Sequence, residues 1–125
     1  MTIAFWCVLL AALAPYLTIA PAKVREDFDN NAPRAWEARL DGWRARLHAA
    51  HLNGFEAFPP FAAGVIIAHL ARAPQSRIDA LAVAFVALRV AYVWLYHADK
   101  AGLRSVIWSI GMLCVIGLFV VAAIG

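Results

Sequence analysis

At 125 residues, 64% of them hydrophobic and only 15% charged, with a mean hydropathy of +0.71, the chain is too apolar for a soluble domain of its size. It reads as one small integral membrane domain with room for about four spans of roughly 20 residues each. The net charge of +3 needs no nucleic-acid partner, because the basic residues segregate by connection. Lys23, Arg25, Arg34, Arg39, Arg44 and Arg46 lie between the first two apolar runs, and Lys100 and Arg104 between the last two. Only Arg72 and Arg77 lie in the middle connection, so the positive-inside rule places both termini outside the cytoplasm.

The first apolar run, 2–20, is long enough to span. Ala20-Pro-Ala22 loosely resembles a signal-peptide cleavage site, but no basic residue precedes the run, so a retained helix with a kink at Pro15 is expected. From Pro21 to Arg46 the chain turns polar. Asn30-Asn31-Ala32-Pro33 offers a capping residue and a first-turn proline. Trp36, Leu40, Trp43 and Leu47 then share one helical face, which predicts a helix running from near residue 34 into the membrane and on to Leu70. Pro74 breaks the next turn. The third span, about 78–97, carries an alanine stripe at residues 80, 84, 87 and 91 that predicts a packing face. The fourth, 103–124, is almost wholly apolar. Cys7 and Cys114 lie in apolar runs without metal or redox spacing and read as buried small residues.

Ionisable residues inside a span are costly and mark a functional site by default. At about 1.5 Å of rise per residue, Glu56 lies about 16 Å into the second span and Arg89 roughly 14 Å into the third, which predicts an interaction between them, direct or through a ligand. Arg46, Ala49, Asn53 and Glu56 fall on one face of the second helix, and Tyr92 and Tyr96 on one face of the third. Together these residues suit an anionic, peptide-like ligand, with guanidinium for carboxylate, amide for amide and Glu56 for an ammonium. His48 and His51 fall on other faces and lack a third ligand, so no metal is expected. His69 and His97 read as solvated.

The second span contains Ala50-His-Leu-Asn53-Gly-Phe-Glu56-Ala-Phe-Pro59-Pro-Phe61, and the third contains Arg89-Val-Ala-Tyr92-Val-Trp-Leu-Tyr96, with Arg104 beyond. In these motifs the chain resembles the MAPEG family, the membrane-associated proteins of eicosanoid and glutathione metabolism, and in particular its short bacterial members. The resemblance implies an all-α, integral membrane four-helix bundle assembling as a homotrimer, in a bacterial inner membrane. It implies glutathione as co-substrate in a cytoplasm-facing pocket between subunits, used in transferase- or peroxidase-like attack on a lipophilic small molecule. Asn53, Glu56, Tyr92 and Tyr96 match the family's glutathione contacts, while Arg104 lies near the arginine credited with activating the thiol, one residue farther from Tyr96. Where catalytic members commonly carry a ligand-holding arginine, this chain has Ala49, and Arg46 is the nearest substitute. The alternative is a non-catalytic membrane module that binds lipid or a partner complex.

Overall fold

A computed structural model describes residues 1–125 and is built from helices and turns. Helix α1 spans Ile3–Ile19 and is followed by a 3-10 turn, Ala20–Lys23. Short α2 spans Pro33–Glu37, α3 Gly42–Leu70, α4 Gln75–His97 and α5 Ala101–Ile124. The stretches Ile3–Lys23, Gln75–His97 and Ala101–Ile124 are long and apolar enough to cross a membrane. Helix α3 is not among them: its 29 residues include Arg44, Arg46 and Glu56 as well as three histidines.

The helix expected from near residue 34 to Leu70 is broken. The chain leaves α2 at Ala38 and re-enters at Gly42, whose φ of +57° is a left-handed conformation that a side chain would strain. The regular spacing of Trp36, Leu40, Trp43 and Leu47 therefore crosses two helices. The expected asparagine cap is also replaced: Ala32 precedes α2, and Asn31 instead donates its backbone N–H to Asp29 at 2.9 Å. Asp29 makes this bond two residues ahead, an Asx-type turn that competes with capping.

Helices α1 and α3 run antiparallel. Thr2 at the start of α1 meets His69 at the end of α3, and Pro15 lies against Gly54, where an added Cβ would come 2.9 Å from the Pro15 ring. Asp79 of α4 accepts the backbone N–H of Ala4 at 2.9 Å, satisfying an otherwise orphaned first-turn donor of α1. Gly64 admits Leu118 between α3 and α5, and Gly117 admits Leu81 between α5 and α4. The core lies where the helices converge, with Phe61 and Phe85 stacked at 4.0 Å and flanked by Val65, Ile78, Ala82 and Leu118. Cys7 and Cys114 are both buried and unpaired.

Of the alanine stripe on α4, Ala84 packs against this core. Ala80 and Ala87 are exposed, whereas Ile78, Ala82, Phe85 and Tyr92 are buried. Both α3 and α4 end in non-glycine left-handed residues, Arg72 and Asp99. The following N–H groups, of Ala73 and Lys100, turn back to Ala68 and Leu95, which satisfies the last carbonyls and keeps the connections short.

Candidate functional site

The polar residues of α3, α4 and the start of α5 form a continuous seam. Arg89 donates from Nη1 to the Asn53 carbonyl oxygen at 2.8 Å, and its guanidinium lies 4.3 Å from the centre of the Tyr92 ring. Tyr92 meets Tyr96 edge to face at 5.7 Å, and Arg104 lies 4.2 Å over Tyr96. The short turn after His97 places Arg104, one turn into α5, beside the last turn of α4. Arg46 reaches across from α3 and donates through Nε to the His97 carbonyl at 3.1 Å.

Glu56 forms no ion pair with Arg89 and is exposed, which corrects the direct pairing expected from depth alone. Helical rise fixes depth but leaves open which way around the helix a residue points. Asn53, one turn earlier, occupies the position facing Arg89. The seam thus holds three guanidiniums and one carboxylate, with Glu56 free and Ala49 half-buried between Arg46 and Asn53. Such a set favours an anion-rich ligand with one cationic group.

Residues 3–124 match the family model described as MAPEG family. The chain belongs to the MAPEG family. No curated protein and no solved structure matches it. Membership agrees with the three apolar helices, and the protein is a membrane protein.

A second polar cluster in this MAPEG chain was not foreseen from the sequence. Glu37, whose side chain has no exposed surface, is held by Lys23 at 3.4 Å, by Arg34 at 3.0 Å and by His48 at 3.5 Å. Arg34 also donates to His51 Nε2 at 3.1 Å, while His51 Nδ1 donates to the Pro15 carbonyl at 2.7 Å. Burial by itself raises the Glu37 pKa, but the hydrogen bonds and charges of Arg34 and Lys23 outweigh it and hold the carboxyl below its ordinary range. The only hint in the sequence was the Arg34–Glu37 spacing of three, which reads equally well as a solvated surface pair. No group of three or more His, Cys, Asp or Glu side chains is arranged to hold a metal.

His69 and His97 differ from the solvated reading. His69 donates from Nδ1 to Val65 at 2.8 Å, bonds Thr2 through Nε2 at 3.0 Å and stacks on Phe5. His97 is half-buried beside Trp43 and Trp94. Helix ends this close to neighbouring helices cover imidazoles that a linear reading leaves in water.

Proposed function

We propose that this MAPEG protein binds glutathione at the α3–α4–α5 seam and promotes its reaction with a lipophilic electrophile or hydroperoxide arriving from the bilayer. The reading includes four membrane spans, α3 among them, assembled as a homotrimer with both termini outside the cytoplasm and the seam facing it. The observation that carries it is the unbroken series Asn53, Arg89, Tyr92, Tyr96 and Arg104, with Glu56 free nearby.

Glutathione supplies carboxylates, an ammonium, peptide groups and the thiol nucleophile. Asn53 offers a side-chain amide to a peptide group, Glu56 a carboxylate to the ammonium, and Arg46 and Arg89 guanidiniums to carboxylates. Tyr92 and Tyr96 position the ligand through their phenols. Arg104 places a cation near the thiol, which favours the reactive thiolate. Calorimetry on the detergent-solubilised protein is expected to show glutathione binding that weakens about tenfold or more in Glu56→Ala. Arg104→Ala is expected to lower kcat for conjugation of an aryl halide. Absence of both binding and conjugation overturns the reading, as does an unchanged affinity in Glu56→Ala.

One observation favours a second reading, a non-catalytic module that binds lipid or a partner complex. Ala49 stands where catalytic relatives commonly hold the ligand with arginine. On that reading Arg104→Ala leaves function intact, whereas Glu56→Ala disrupts subunit assembly.

A further inference from the structure

His51 of α3 is 1% exposed and takes no part in the seam. Three elements close around it. From α1 comes the Pro15 carbonyl, 2.7 Å from Nδ1, and from α2 the Arg34 guanidinium, 3.1 Å from Nε2. From its own helix come the rings of Phe55 at 4.8 Å and His48 at 6.1 Å. The same Nη1 of Arg34 also donates to Glu37 Oε2, so one guanidinium nitrogen ties the carboxylate of α2 to the imidazole of α3.

Both hydrogen-bond partners of His51 are one-sided. A carbonyl only accepts, and a guanidinium, which keeps its charge in proteins, only donates. The imidazole therefore carries its proton on Nδ1 and keeps a lone pair on Nε2, which is the neutral form. A second proton has only Nε2 to go to, where it sets N–H against N–H. The bond to Arg34 is then lost and replaced by repulsion between two cations at hydrogen-bonding distance.

The surrounding charges leave that second proton uncompensated. Lys23, in the turn after α1, and Arg34 already share the one carboxylate, Glu37. His48 Nδ1 approaches the same carboxylate at 3.5 Å and has no hydrogen-bond partner. A proton on His48 thus meets Glu37, whereas a proton on His51 meets Arg34. Arg34 is also the member free to leave, since 65% of its side chain is exposed and none of that of Glu37.

We propose that His51 is a proton-sensitive latch: neutral, it holds α2 against α1 and α3 through Arg34, and protonated, it expels Arg34 and loosens α2. What loosens is the connection leading into α3, from Pro33 to the left-handed turn at Gly42. The latch lies outside the seam and does not rest on glutathione binding.

Hydrogen–deuterium exchange of the detergent-solubilised protein tests it on the amides of Trp36, Ala38, Arg39 and Leu40, which close α2 and its exit turn. Each rate is divided by that of an unfolded peptide of the same sequence at the same pH. Protection is expected to fall about tenfold or more between about pH 8 and about pH 5.5, the loss of one hydrogen bond to a charged group across the ordinary histidine range. Glu37 stays ionised over that window, because its carboxyl is held below its ordinary value of 4.5. In His51→Gln, whose amide oxygen accepts from Arg34 but takes up no proton, the fall is expected to disappear, and in His48→Gln to persist. Wild-type protection that is constant with pH overturns the proposal, as does a fall as large in His51→Gln as in the wild type, or one abolished in His48→Gln. Nitrogen-15 NMR of the histidine-labelled wild type needs no variant to fold. At about pH 8 it is expected to show a neutral ring protonated on Nδ1 for His51, beside the one that the Val65 carbonyl requires of His69. Fewer than two such rings among the four histidines overturns the latch.

Discussion

Single atoms decide how closely α1 and α3 approach. Gly54 has no room for a methyl group, since the added Cβ would lie 2.9 Å from the Pro15 ring, and a proline ring cannot swing aside as a long side chain does. Gly54→Ala is therefore expected to destabilise the fold by about 1–3 kcal/mol, read as a lower unfolding temperature in detergent. Gly102, with nothing within 4 Å of an added Cβ, is the control, and Gly102→Ala should leave that temperature unchanged or raise it slightly. The same scale explains why Glu56 and Arg89 make no direct pair. Both are ionisable residues on apolar helices, but the partner of Arg89 is Asn53. Residue type and depth are properties of a single helix, whereas a pairing depends on how two helices are rotated against each other.

At the scale of elements, α2 is too short to persist alone, since isolated helices below about 12–15 residues are marginal in water. It is held by the burial of Trp36 and by the bonds of Glu37 to Lys23 and Arg34. Removing the Glu37 charge leaves Arg34 and Lys23 without their partner, so Glu37→Gln is expected to speed tryptic cleavage at Arg34 and Arg39 at neutral pH. Because the folded-state pKa is depressed, the carboxylate contributes stability above the unfolded value, near 4.5, and this is lost as pH falls through the lower folded value. The unfolding temperature of the wild type should fall over that acid range more steeply than that of Glu37→Gln. The break between α2 and α3 was hidden for a related reason. The apolar period runs through it unchanged, and only the left-handed Gly42 shows that the chain changes direction.

For the whole molecule, the exposed alanines of α4 matter most. Ala80 and Ala87 are exposed within one chain, and small residues on a membrane helix permit close approach of another helix. If the homotrimer forms through this face, light scattering should give a mass of three copies of the 13.6 kDa chain, and Ala87→Trp should reduce it without lowering helix content. Composition alone determined that this is a membrane protein, because 64% hydrophobic residues cannot be covered by so few polar ones. The motifs around Asn53, Glu56, Tyr92 and Tyr96 determined the family, which the match over residues 3–124 bears out. Linear spacing carried that information because each motif lies on a single helix, where sequence distance converts directly into position. Only the tertiary structure decided that Arg89 meets Asn53, that Glu37 is buried, and that an apolar cavity opens beside Trp43 and Trp94. Each of those depends on the relative rotation and separation of helices distant in sequence, and side-chain packing between them sets both.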